Sequence, residues 1–268
     1  MPVRLVVVAL ALTLLGNAGV AAAQAQTESE DTWFTIGRSV EDRPIGAIRL
    51  GSGTVHLALM GSIHGGWERN TELLVRLAYE YYAAHRDEIP ATMSLYFVPT
   101  TNPDGLAAGS DRDAAWNARG VDLNRNFDTP NWSTDSYGQV GGRYGETGTR
   151  QGAGGPFPFS EPESSAIRRF VLDRHIDAVL SYHSGIVSVT TRDGGGDPAQ
   201  PLAQEVASIT GYPYIAKWTA YQLTGQFMDW LEAVGVKGIE VDLPSQRDID
   251  WDKNLPAIQA VVADLSSS

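Results

Sequence analysis

The sequence predicts an α/β fold: a single domain with a mixed, mostly parallel central sheet and helices on both faces, an α/β/α sandwich. Three observations carry this. Short apolar runs of strand length alternate with stretches of helical period, the pattern of a sheet covered by helices. Several of those runs are apolar without alternation, as strands buried on both faces are. The 268 residues, 43% of them hydrophobic, hold enough apolar mass for one large core.

Taken in order, Thr32 to Gly37 and the stretch from Pro44 to Gly61 read as short strands, with Gly51-Ser52-Gly53 as a hairpin-like connection. Asn70 to Arg86 carries Leu73, Leu74, Leu77, Ala78, Tyr81 and Tyr82 at helical spacing. Met93 to Val98 is a strand that enters the turn Thr101-Asn102-Pro103-Asp104-Gly105. Residues 106–159 are rich in Gly, Asn, Asp and Pro and lack a period; so long an irregular stretch inside a compact domain is usually functional surface. Glu161 to His175 is a helix with Ser160 as its N-cap, and Ile176 to Tyr182 a buried strand. Helices over Gln200 to Thr210 and Thr224 to Ala233, a strand over Val236 to Leu243 and a closing helix over Trp251 to Leu265 complete the domain, 33–268.

The first residues differ from the rest. Arg4 precedes the apolar run Leu5 to Leu15, and Ala21, Ala22, Ala23 and Ala25 follow. That layout predicts a signal peptide over 1–25, cleaved after Ala23-Gln24-Ala25, and a linker over 26–32. The apolar run falls short of the ~20 residues that a membrane span needs. The expectation is a secreted or periplasmic protein with no stable membrane insertion after cleavage. A formal charge of −12 repels phosphate backbones and argues against nucleic acid as a partner. With no cysteine, disulfides, thiolate metal sites and cysteine nucleophiles are all excluded.

Two of the five histidines, His64 and His183, stand where apolar strands end, and ligands of α/β sheets collect beyond the carboxyl ends of strands. Glu68 follows His64 by four residues in a glycine loop that leads into a helix. Two histidines and one carboxylate, with a fourth position open, form the usual set of a catalytic zinc site. His85 and His175 sit at polar helix ends, where a cation is favourable.

Ile63-His64-Gly65-Gly66-Trp67-Glu68, Asn102-Pro103-Asp104-Gly105, Gly120-Val121-Asp122-Leu123-Asn124-Arg125-Asn126-Phe127, Ser181-Tyr182-His183-Ser184 and the later Tyr221-x-x-Thr224-Gly225 occur in this order. Together they resemble the zinc metallocarboxypeptidases, the superfamily of carboxypeptidases A and T and the bacterial murein-peptide amidases. The resemblance runs from about Trp33 to Leu265, and its most specific part is the Val-Asp-Leu-Asn-Arg-Asn-Phe string.

That resemblance implies a zinc-dependent enzyme that hydrolyses an amide bond next to a free carboxylate, in a peptide or murein-peptide substrate. It implies His64, Glu68 and His183 as zinc ligands, and Asn124 and Arg125 as the grip on the substrate's terminal carboxylate. An arginine suits that task because its planar fork donates two parallel hydrogen bonds to a carboxylate. It further implies Tyr221 as a tyrosine that folds over bound substrate, and Met228 as the residue that selects the accepted side chain.

Three departures stand out. The ligand spacing is His-x-x-x-Glu, as in a bacterial branch with His-Gly-Gly-aromatic-Glu, where most carboxypeptidases have His-x-x-Glu. In Ile239-Glu240-Val241-Asp242-Leu243, Asp242 occupies the place of the family's catalytic glutamate; Glu240, two residues back on the same strand face, is the alternative base. Ala115 stands where related sequences carry an oxyanion-binding arginine, which leaves Arg112, or else Arg119, to supply that charge. These departures keep a second reading open, a family-like binding protein with impaired catalysis. A serine hydrolase is a much poorer fit, since no Gly-x-Ser-x-Gly elbow occurs and Ser184 beside His183 has no strand–turn–helix setting.

Overall fold

The computed structural model describes residues 31–139, 147–192 and 196–267, so the expected signal peptide over 1–25 and most of the linker lie outside the described residues. The strands among the described residues are β1 (Phe34–Arg38), β2 (Pro44–Leu50), β3 (Val55–Met60), β4 (Met93–Val98), β5 (Ser136–Gln139), β6 (Thr147–Arg150), β7 (Ala178–Ser184), β8 (Ser188–Thr190), β9 (Tyr214–Ile215) and β10 (Lys237–Leu243). The α-helices among the described residues are α1 (Arg69–Ala84), α2 (Pro103–Ala108), α3 (Pro162–Asp173), α4 (Gln200–Thr210), α5 (Phe227–Ala233) and α6 (Trp251–Ser266).

Eight strands form one sheet in the order β1-β2-β4-β3-β7-β10-β8-β9. Its centre, β4-β3-β7-β10, is parallel throughout, while β1/β2, β2/β4 and β10/β8 pair antiparallel. Strand alternation then builds a core on each face. Leu57 and Leu59 of β3 join α1, α4 and α6 on one side; Ala58 and Met60 join α3, α5 and the segment around Leu123 and Phe127 on the other. β4 and β7 are buried at every residue, which is why they read as mostly apolar runs without alternation.

Three local expectations are corrected. Gly51-Ser52-Gly53 does not close a hairpin, because β4 lies between β2 and β3 and its first residue, Met93, accepts a hydrogen bond from the amide of Gly53 (3.0 Å). The turn at Asn102 is the start of helix α2: the Asn102 side chain accepts from the amide of Gly105 at 2.9 Å, with Pro103 as the first helical residue. Ser160 does not cap α3; Glu161 holds the N-cap position, and the Ser160 hydroxyl donates to the Glu161 carboxylate instead (2.9 Å). Among the described residues, no helix is long and apolar enough to cross a membrane.

Candidate metal centre and substrate cleft

The parallel core puts the carboxyl ends of β3, β7 and β10 side by side, and the site forms beyond them. His64 follows β3, His183 is the next-to-last residue of β7, and Asp242 is the next-to-last residue of β10, directly across from His183 in the register. After His64 the chain makes a 3-10 turn, Gly65–Glu68, before α1 begins. That turn absorbs the extra residue of the His-x-x-x-Glu spacing and brings Glu68 Oε1 to 3.0 Å from His64 Nδ1. Both glycines of the loop are sterically required. A Cβ on Gly65 would stand 2.4 Å from the carbonyl oxygen of Ala114, and one on Gly66 would stand 1.7 Å from that of Gly109.

His183 Nδ1 reaches the same Glu68 oxygen at 3.4 Å, and the two imidazole rings meet edge to face with centroids 5.1 Å apart. His64, Glu68 and His183 each offer one ligand atom, all within 4.8 Å of one another. The second carboxylate oxygen of Glu68, Oε2, is buried and has no hydrogen-bond partner. A buried orphan acceptor is costly unless something fills its lone pairs. Two imidazole nitrogens and a carboxylate converging on one point, with that oxygen unused, fit a zinc ion.

The far side of each ring also meets a carboxylate. His64 Nε2 lies 3.3 Å from Asp122 Oδ1, and His183 Nε2 lies 3.3 Å from Glu240 Oε2. Asp122 does two things at once, since its Oδ1 also accepts from the amide of Asn124 at 3.0 Å and so caps the turn that presents Asn124 and Arg125.

These contacts set the electrostatics of the metal-free site. Burial works against a charge on either imidazole, yet Glu68 and Asp122 raise His64 to about 9, and Glu240 and Glu68 raise His183 to about 10. Burial alone would also raise Glu68 and Asp122, but His64 and His183 hold Glu68, and His64 with Arg125 and Arg112 hold Asp122, well below the usual carboxylate range. Asp242 goes the other way: burial pushes it up to about 7, with His183 opposing and the Glu240 charge adding.

The cleft in front of the ligands encloses about 970 Å³ including space open to solvent, and is lined by Asn124, Arg125, Arg112, Tyr221, Glu240 and Asp242 among others. Arg125 is buried, with Nη1 donating to the carbonyl of Asn124 at 2.7 Å. Asn124 Oδ1 accepts from the amide of Phe227 at 3.0 Å, which ties the Arg125 turn to the start of α5. Tyr221 is half-buried and meets Trp218 edge to face at 5.3 Å. Arg112 lines the cleft between two tryptophans, 5.4 Å from the ring centroid of Trp67 and 4.9 Å from that of Trp116. Arg119 points elsewhere, to Glu161 at 3.5 Å, and does not line the cleft.

Met228 is the exception among the expected site residues. It is 1% exposed and packs in the core behind β10, against Gly238 and alongside Trp230 and Leu231, without lining the cleft. Glu240, read from the sequence as the alternative base, stands behind the His183 ring; Asp122 behind the His64 ring and the tryptophans beside Arg112 have no role in the motif reading. Asp122 was within reach of it, being a charged residue in an otherwise buried string.

Residues 20–243 match the zinc carboxypeptidase family. The chain belongs to that family. It is 30% identical over 151 residues to carboxypeptidase D of Mus musculus, covering 42% of this chain and 11% of the relative. It is 28% identical over 167 residues to carboxypeptidase B of Astacus astacus (56% of this chain, 52% of the relative). With murein peptide amidase A of Escherichia coli strain K12 the identity is 27% over 165 residues (60% and 62%). The chain thus spans between about a tenth and three fifths of the length of these relatives. Among solved structures it shares its fold with thrombin activatable fibrinolysis inhibitor, at TM-score 0.71 and 20% identity, covering 88% of this chain and 69% of that one. It shares it equally with murein-tripeptide amidase MpaA from Escherichia coli O157, at TM-score 0.65 and 23% identity over 88% and 93% of the two chains.

Proposed function

We propose that this chain is a zinc-dependent hydrolase of the carboxypeptidase type, cleaving the amide bond next to a free carboxylate in a peptide or murein-peptide substrate. The observation that carries the reading is one cleft holding His64, Glu68 and His183 together with a carboxylate, Asp242, and a buried arginine, Arg125.

His64, Glu68 and His183 hold the zinc. When bound, zinc supplies a Lewis acid for the scissile carbonyl and for the attacking water. Asp242, a buried carboxylate lining the cleft, takes the proton from that water and passes it to the leaving amine. Arg125 and Asn124 grip the terminal carboxylate, and Tyr221 closes over it, so that binding energy becomes orientation. Arg112, stiffened between Trp67 and Trp116, offsets the charge that develops on the carbonyl oxygen in place of the arginine missing at Ala115. Met228 selects nothing in this reading, since it lies in the core.

Export behind a cleaved signal peptide rests on residues 1–25 alone; N-terminal sequencing of the mature protein tests it. The reading as a whole is tested by metal analysis and turnover. One zinc per chain is expected, largely lost in His64→Ala and His183→Ala, together with hydrolysis of amides that carry a free carboxylate. Asp242 in place of a glutamate favours the rival reading of an impaired binding protein. Bound zinc with no turnover on any such amide would decide for that rival.

A further inference from the structure

Glu240 and Asp242 occupy the same face of β10 two residues apart, and either is a carboxylate within the cleft. The register separates them. Asp242 pairs with His183 and Glu240 with Ser181, so Glu240 lies one step deeper along the strand, beside the His183 ring. Its Oε2 is 3.3 Å from His183 Nε2, an ion-pair distance; neither atom makes a hydrogen bond in the metal-free arrangement and both are buried, so each is the other's nearest charged counterpart, while His183 Nδ1 faces Glu68. Both side chains are buried, Glu240 at 8% exposure and His183 at 3%. The same arrangement holds at the other histidine: His64 Nδ1 faces Glu68 and His64 Nε2 faces Asp122 Oδ1.

We infer that Glu240 is a positioning residue of the metal centre, accepting the Nε2–H of His183 so that Nδ1 presents its lone pair to the metal. The inference rests on the zinc reading of the site above. A neutral imidazole carries one proton, and a carboxylate on Nε2 decides which nitrogen keeps it. It also fixes the ring's rotation and raises the basicity of the ligating nitrogen; loss of such a partner typically weakens metal binding by 10–100-fold. Each histidine is then backed by its own carboxylate, Asp122 for His64 and Glu240 for His183. Two neighbouring acids on one strand carry separate tasks, Asp242 the proton and Glu240 the ligand.

Zinc titration of the metal-free protein against a chelating fluorophore tests this, with the visible spectrum of the cobalt(II)-substituted protein as a second readout. Glu240→Ala should weaken zinc binding by about 10–100-fold and shift the cobalt spectrum. Glu240→Gln, nearly isosteric and still able to accept through its amide oxygen, should weaken it less. Asp242→Asn should change zinc affinity by less than about threefold while its turnover collapses. Unchanged zinc affinity and cobalt spectrum in both Glu240 variants overturn the inference. So does a Glu240→Gln protein that keeps wild-type zinc affinity but loses turnover, which makes Glu240 the base. The titration needs no substrate, so an inert wild type that binds zinc leaves this test intact. A wild type that binds no zinc defeats the functional reading, and this inference with it.

Discussion

Gly225 sits directly against Arg125: a Cβ at Gly225 would stand 2.3 Å from the carbonyl oxygen of Arg125, and the Gly225 backbone has φ of +59°. The carbonyl of Gly225 in turn accepts from the amide of Phe127 at 3.1 Å. The late Tyr-x-x-Thr-Gly segment and the Asp-Leu-Asn-Arg-Asn-Phe string are therefore one structural unit around Arg125.

Replacing Gly225 with alanine meets both a left-handed backbone and a backbone clash. Gly225→Ala should destabilise the fold by about 2–4 kcal/mol and, by displacing Arg125, raise KM more than it lowers kcat. Thermal melting and steady-state kinetics check the two parts separately. Wild-type kinetics in a destabilised protein would uncouple Gly225 from the grip.

Arg125 should read the terminal carboxylate. Arg125→Ala and amidation of the substrate's C-terminus should each cut kcat/KM by about 10²-fold, since each removes the same charge-assisted contact. Combined, the losses should not multiply. Additive losses in free energy would place the carboxylate elsewhere in the cleft.

Asp242→Asn should keep the fold and the zinc and lose about 10²–10⁴ in turnover, as general-base assistance disappears. Asp242→Glu restores the longer side chain of the family's glutamate and should stay active if the pocket admits it. Full activity in Asp242→Asn removes Asp242 from the chemistry.

Zinc affinity should rise steeply with pH. His64, raised to about 9, and His183, raised to about 10, both carry a proton in the metal-free protein at neutral pH. Ligation needs both imidazoles neutral, so each bond displaces a proton below those values. The logarithm of the zinc Kd should fall by about two per pH unit across the neutral range. The sign for the metal-free fold is opposite. The ion pairs that raise these values from 6.5 stabilise it fully below that pH, and the contribution fades as pH climbs through about 9 to 10. A slope near zero would mean that the two rings are already neutral.

Helix α4 and strand β4 have the bounds that the sequence predicts, Gln200–Thr210 and Met93–Val98, because each signal is local: a 3.6-residue period in one, an unbroken buried run in the other. Strands β8 and β9, three and two residues long, are too short to show a period, and the sequence reading passed them over. Ser160 does not cap α3, for a different reason. The helix starts one residue later than the sequence suggests, with Glu161 at the N-cap and Pro162 as its first residue, and the Ser160 hydroxyl donates to the Glu161 carboxylate.

What the sequence determined by itself is the kind of fold, the kind of ligands and the order of the motifs, all properties of residues close along the chain. The tertiary structure alone decided which residues meet. It placed β4 between β2 and β3, turned Met228 into the core, chose Arg112 over Arg119 for the cleft, and set Glu240 on the far nitrogen of His183. Each of these depends on strand order and register. In a β-strand a shift of one residue reverses every side chain, so whether a carboxylate faces a ligand, a substrate or the core is settled only when distant strands pair.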